Sequence, residues 1–249
     1  MAITRQTIIA TLQARLEQNP KILAMWLEGA DATNTVDEFS DIDLCCSVEA
    51  GAIAEVTAEA RQALETLGTI DLAQVLVAGE DNQHIVFHLA GTSEYLLLDF
   101  CLYVARGSDF IEADEIEQPL IIFDRCSIIR YSSAEESREW KNRNERLSEL
   151  KSTVAQSARI EKYVRRGAFL EAFGYYHKWL LTPLVEVLRM QYTPLHPDYY
   201  IVHISRHLPG DILMRLEGLF KVSSVAEIQR KSKEAQAFFK EVTTQLQGY

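Results

Sequence analysis

Long apolar runs, basic residues and cysteine are all scarce in this sequence of 249 residues, and each scarcity excludes something. No apolar stretch approaches the roughly 20 residues that a membrane-spanning helix needs, so no membrane partner is expected. The first ten residues, Met1 to Ala10, lack the basic-then-apolar pattern of a signal peptide, and a cytoplasmic location is expected. Lys and Arg number 25 against 36 Asp and Glu, a formal charge of -11. Nucleic-acid binders need a cationic footprint to displace the counterions of a phosphate backbone, so that class is excluded, and a small cationic partner suits the field better. The four cysteines, Cys45, Cys46, Cys101 and Cys126, lie in apolar segments without metal-finger spacing. They read as small buried hydrophobes, and no oxidising compartment is required.

What the chain has in quantity is apolar residues, 47% of the total, in a length that exceeds one average domain. Ile8, Ile9, Leu12 and Leu16 recur at helical spacing and end at Asn19 and Pro20. Strands are predicted over 22–27, 42–48, 70–77, 85–90, 95–104, 119–123 and 127–130, with a hairpin turn at Gly91, Thr92 and Ser93. Between them, Ile53, Val56, Ala60, Ala63, Leu64 and Leu67 define an amphipathic helix, with Gly68 placed for a left-handed C-cap. From Ser133, which with Glu136 forms a capping box, the texture becomes helical. Four or five helices are predicted there, punctuated at Pro183, at Pro194 and Pro197, and at Pro209 and Gly210. Ser224 with Glu227 caps the last, which turns Phe238, Phe239, Val242 and Leu246 inward. The expected fold is α/β, a mixed sheet with flanking helices over 1–131, followed by a helical bundle domain over 132–249.

The chemistry is expected at carboxylates. Asp41 and Asp43 open a strand, and at a period of two both leave the same face of the sheet. Two anions so placed raise one pKa unless a cation lies between them, and a hard divalent ion such as Mg²⁺ suits clustered oxygen ligands. Asp99 interrupts the otherwise apolar run from Tyr95 to Tyr103, where an unpaired charge is expensive. It needs a cation at the same place, or else sits at a frayed strand end or pairs with Arg106 or Arg125. Three such carboxylates would hold two metal ions able to activate a hydroxyl and stabilise a leaving pyrophosphate.

The segment from Trp26 to Asp31, followed by Phe39, Ser40, Asp41, Ile42, Asp43 and Leu44, resembles the nucleotidyltransferases of the DNA polymerase beta superfamily. That family has a strand ending in Gly-Ser, a loop of about this length, a Ser-Asp-x-Asp strand and a third Asp on a later strand. Residues 121–125 and the helical second half further resemble the bacterial aminoglycoside and lincosamide enzymes. The resemblance implies a nucleotidyltransferase-fold domain in which Asp41, Asp43 and Asp99 bind metal. It also implies ATP as co-substrate, a phosphate-binding turn at Gly29 and Ala30 with Ser40 beside it, and a small hydroxylated acceptor in a cleft between the domains, for which the acidic balance favours a cationic one. The family's serine is Ala30 here, and Asp31 follows where a neutral or basic residue is usual. One phosphate hydrogen bond is thereby absent, worth about 1.5–3 kcal/mol in a charge-assisted setting.

On the helix predicted over 168–181, the apolar stripe Phe169, Phe173, Tyr176 and Leu180 leaves Glu171, Tyr175 and Lys178 on another face. In the resembled family a carboxylate from the helical domain deprotonates the acceptor, which makes Glu171 the candidate base, Lys178 a candidate phosphate contact and Glu161 the second choice as base. A solvated helix face is the alternative. His203 with His207 and His84 with His88 have ligand-like spacing but no third partner in the sequence, and read as packed or surface histidines. Arg165, Arg166, Lys141, Arg143 and Arg146 read as helix surface charges. Two rivals remain: a degenerate binding module, to which Ala30 points, and an enzyme that modifies a protein target. Oligomeric state is open between monomer and homodimer.

Overall fold

The computed structural model describes residues 2–105, 111–113, 116, 118–131 and 142–246. The chain divides into two compact units, Met1–Ser132 and Ser133–Tyr249. The capping box expected at Ser133 and Glu136, together with Arg106 and Lys141, lies outside the described residues.

In the first unit, helix α1 (Arg5–Leu16) begins at a reciprocal box between Thr4 and Thr7 and buries Ile8, Leu12 and Leu16. It leads into β1 (Ile22–Leu27), the short helix α2 (Gly29–Thr33), β2 (Ile42–Val48) and helix α3 (Ile53–Glu65). Next come β3 (Ile70–Ala78), β4 (Asn82–Leu89), β5 (Leu98–Val104), β6 (Ile111–Ala113), β7 (Leu120–Asp124) and β8 (Ile129–Tyr131). Six of these strands form one mixed sheet in the order β3-β4-β5-β2-β1-β7, in which β2 and β5 are parallel and the other neighbours antiparallel. The two remaining strands, β6 and β8, pair in parallel.

Alternation along the central strands sorts their side chains. Ile42, Leu44 and Cys46 of β2, with Leu98, Phe100 and Leu102 of β5, join the apolar cluster that α1 and α3 complete. Full burial of a Leu, Ile or Phe side chain contributes about 1.5–3 kcal/mol, so this face sets the register of the sheet. The opposite face of the same strands therefore receives Asp43 and Cys45 from β2 and Asp99 and Cys101 from β5.

Several expectations need correction. β5 starts at Leu98 rather than Tyr95, because the connection from β4 is longer than a tight hairpin. His88 and Leu96 both bond to the Ser93 carbonyl within it. Strand β6 had no alternation long enough to reveal it. Cys126 is exposed in the turn after β7, and Cys101 is only half-buried. At Gly68 the backbone is not left-handed; a Cβ there would meet Ile3 Cδ1 at 2.8 Å, so the glycine permits close approach of the N-terminal segment.

The regular elements described in the second unit are all helices. It comprises α4 (Arg143–Val154), α5 (Ala158–Arg165), α6 (Phe169–Tyr176), α7 (Thr182–Tyr192), α8 (Ile204–His207), α9 (Gly210–Phe220) and α10 (Val225–Leu246). That is more segments than the four or five expected, partly because Gly167, at φ +64, breaks the chain between α5 and α6. Pro183 does not punctuate it: α6 passes through a π turn at His177–Leu181 directly into α7, where Pro183 occupies the first turn. The widened turn accommodates the missing proline donor. Ala172 is fully buried while Phe173 is exposed, contrary to the expected stripe. On α10, Glu227 N donates to Ser224 Oγ at 3.2 Å, and Phe238, Phe239, Val242 and Leu246 are buried as the sequence predicts. Among the described residues no helix is long and apolar enough to cross a membrane.

The geometry at Gly68 is testable. Gly68→Ala should change unfolding free energy by no more than about 0.5 kcal/mol, since Ile3 Cδ1 ends a flexible side chain and a backbone outside the left-handed region tolerates Ala. A loss above about 1 kcal/mol in urea denaturation would restore the left-handed cap.

Candidate active site

The site begins with a register. Parallel pairing of β2 with β5 sets Asp43 opposite Asp99, so both side chains leave the same face of neighbouring strands. Asp41, two residues before Asp43, joins them, and one ligand atom from each of Asp41, Asp43 and Asp99 lies within 4.8 Å of the others. Asp41 is exposed, whereas Asp43 and Asp99 are half-buried at the sheet surface.

Burial, and after it the negative charges of Asp41, Asp99, Glu28 and Asp31, push the Asp43 carboxyl up to about 7. The charges acting most strongly on Asp43 are all negative. Of the two arginines considered as partners of Asp99, the described one, Arg125, is engaged elsewhere. Arg125 donates to the carbonyls of Asn19 and Ile22 at 2.9 and 2.7 Å and lies over Phe123, and Arg106 is outside the described residues. Converging oxygen ligands with unrelieved negative charge fit a hard divalent cation such as Mg²⁺.

The loop between β1 and β2 is built around these carboxylates. Gly29 adopts φ +59, and a Cβ there would fall 2.2 Å from Asp43 Oδ2. Only glycine lets the turn lie against that carboxylate in this conformation. Glu28 N donates to the Asp43 carbonyl at 3.0 Å, tying the loop's start to β2. Arg5, almost fully buried on α1, pairs with Asp31 at 2.5 Å and donates its other arm to the Ser40 carbonyl. Asp31, the residue that departs from the resembled family, is thus Arg5's partner. Burial still leaves its carboxyl raised above the usual range, against the Arg5 charge. Ala30 is the second residue of α2, and its carbonyl accepts from Thr35 N at 3.0 Å. The Ser40 hydroxyl donates to Asp37 Oδ1 at 2.8 Å.

One neighbour of the site was not recognised in the sequence. His84 Nε2 is 2.5 Å from Asp99 Oδ1, while His88, on the same face of β4, pairs instead with Asp71 at 2.6 Å. The spacing of 84 and 88 was visible, but the partner strand and its register were not.

The residues expected from the second half belong to the second unit. Glu171 and Lys178 are exposed, and Lys178 Nζ stands over the Trp179 ring at 5.3 Å. The π turn begins between them, so their shared helical face does not persist. Glu161 bonds Arg165 at 2.8 Å, which holds its carboxyl below the usual range and makes it a poorer base. His203 is the exposed left-handed residue before α8, and the half-buried His207 has Nδ1 2.7 Å from Arg189 Nη1.

No protein-family model and no curated protein matches the chain. Among solved structures, JHP933 from Helicobacter pylori is similar over 99% of this chain and 97% of its own, at 12% identity and a TM-score of 0.28. The STING-associated CdnE c-di-GMP synthase from Capnocytophaga granulosa is similar over 96% and 79%, at 14% identity and a TM-score of 0.33. The CdnE cyclic dinucleotide synthase of Elizabethkingia meningoseptica, solved with GTP and Apcpp, is similar over 98% and 90%, at 15% identity and a TM-score of 0.28. At such TM-scores these likenesses assign no function to this chain.

A carboxyl near 7 in the folded protein and near 3.8 in the unfolded chain keeps its proton through a window where the unfolded chain has lost it. Its contribution to stability therefore falls as pH rises from about 4 to about 7, and a bound dication opposes that loss. Mg²⁺ should accordingly raise Tm more at about pH 7.5 than at about pH 5.5, and Asp43→Asn should remove the difference. Equal Mg²⁺ shifts at both pH values in the unsubstituted protein would contradict this account of the site.

Proposed function

We propose that this protein is a metal-dependent nucleotidyltransferase that transfers AMP from ATP to a hydroxyl of a small acceptor and releases pyrophosphate. The observation that carries the reading is the convergence of Asp41, Asp43 and Asp99 within 4.8 Å, with the Asp43 carboxyl pushed up to about 7 by burial and then by the negative charges around it. Its sequence counterpart is the Gly29 turn followed by Ser40, Asp41 and Asp43, the pattern by which the chain resembles the polymerase beta superfamily.

Asp41 and Asp43 hold the metal, and Asp99 completes the ligand set. Two Mg²⁺ ions, when bound, supply Lewis-acid stabilisation of the charge that develops on the phosphates. Asp99 takes the proton of the acceptor hydroxyl; the oxygen then forms a bond to the α-phosphorus as the bond from that phosphorus to the β-phosphate bridging oxygen breaks. Gly29 brings the backbone of the β1–β2 loop close to the phosphates, a role suited to its positive φ. Ser40 and Ala30 belong to the same β1–β2 loop. Glu171 is the other candidate for the acceptor proton. A formal charge of -11 favours a cationic, hydroxylated acceptor of the aminoglycoside kind.

Ala30 supports one rival, a module that binds nucleotide without turnover, and the acceptor class has its own rival in a protein target. Pyrophosphate release with ATP and Mg²⁺ over a panel of hydroxylated cations, alongside labelled ATP in lysate, separates the three. Turnover on a small molecule is expected, with Asp43→Asn lowering it by at least roughly 100-fold and leaving the fold intact. Glu171→Gln should retain turnover if Asp99 is the base. An unchanged rate in Asp43→Asn would remove the mechanism, and ATP binding without turnover on any acceptor would favour the module.

A further inference from the structure

His84 is not required by the metal-ligand set, yet its ring is committed to it. It sits on β4, where the antiparallel register places it opposite Cys101 and places Val86 opposite Asp99. The imidazole therefore reaches diagonally along β5 to bring Nε2 within 2.5 Å of Asp99 Oδ1. Its side chain is 29% exposed and that of Asp99 20%, so the pair is partly withdrawn from water, where a hydrogen bond holds direction better than at an open surface.

An ionised carboxylate offers only acceptors, so this contact requires the imidazole proton on Nε2. Oδ1 is then anchored to the protein, and the other oxygen of Asp99 does not share that bond. A free aspartate rotates about two side-chain bonds and samples one-oxygen and two-oxygen presentation. An anchored one is restricted to the first. Carboxylates that bind metals are commonly held in this manner by an outer hydrogen bond, whose loss typically costs about 10–100-fold in metal affinity or activity.

We propose that His84 is a positioning residue, fixing the Asp99 carboxylate by an Nε2–H donor so that a single oxygen is presented to the divalent cation. This rests on the metal reading given above. The contrast with His88 sharpens it: that ring, on the same strand face, is satisfied by Asp71, Ser93 and Thr92, away from the three aspartates.

Mn²⁺ titration followed by electron paramagnetic resonance, without nucleotide, tests the role apart from activity. His84→Ala should weaken Mn²⁺ binding by about 10-fold or more. His84→Gln, whose amide nitrogen reaches as far as Nε2, should restore it to within about 3-fold, with Tm similar in all three proteins. In turnover, His84→Ala should lower kcat while leaving KM for ATP nearly unchanged. Equal Mn²⁺ affinity in the unsubstituted and His84→Ala proteins, or weakening that His84→Gln does not relieve, would overturn the assignment. Failure of the unsubstituted protein itself to bind Mn²⁺ would instead remove the metal reading, and the role of His84 with it. Should His84→Ala not fold, long-range ¹H–¹⁵N spectra of the metal-free protein decide the matter: His84 must show the proton on Nε2, and its ring signals must move in Asp99→Asn. A proton confined to Nδ1 refutes the donor.

Discussion

The parallel pairing of β2 with β5 holds two carboxylates side by side, and the rest of the site answers that constraint. Like charges no more than 4.8 Å apart repel by at least roughly 3 kcal/mol at an effective dielectric of about 20. The sheet cannot relieve the conflict by slipping, because a one-residue shift would carry Leu44, Phe100 and their neighbours out of the core and onto the opposite face. The apolar face thus fixes a strained arrangement on the polar one. The proton held by Asp43 up to about 7 is one relief, and a divalent cation is the other.

Two arginines described in the same unit are engaged elsewhere rather than neutralising the negative cluster. Arg5 and Arg125 lie in the same unit, but Arg5 is committed to Asp31 and the Ser40 carbonyl, and Arg125 to backbone carbonyls near the end of α1. Each cation fixes a loop. Gly29 leaves Asp43 Oδ2 uncovered by any side chain of its own. His84, which can remain neutral and still donate, is the group that touches Asp99. An arginine in its place would have satisfied the carboxylate and filled the position of a metal.

Much of this was legible in the sequence, and what was not has identifiable causes. Strands 22–27 and 42–48 are found where short apolar runs bounded by polar residues put them, since a strand covered on both faces reads as a continuous apolar run whose side chains still keep a period of two. The same period puts Asp41 and Asp43 on one face. Convergence of Asp99 followed from the cost of a charge in an apolar run, an argument that needs no register. His84 and Arg5 required knowledge of which strand lies beside β5 and which loop lies beside α1, and neither is encoded locally. At Pro183 a π turn overrode ordinary helical counting, on α6 Ala172 rather than Phe173 took the inward position, and at Gly68 a packing contact was mistaken for a cap. In each case a tertiary fit decided between local options that the sequence left equal.

The central claim is that Asp41, Asp43 and Asp99 share a divalent cation. Its most direct test is an anomalous difference map from crystals grown with Mn²⁺ and a non-hydrolysable ATP analogue. The account predicts a peak within about 2.0–2.6 Å of oxygens from all three aspartates. Fully occupied nucleotide with no peak there, or Mn²⁺ bound to other residues while these carboxylates stay bare, would contradict it.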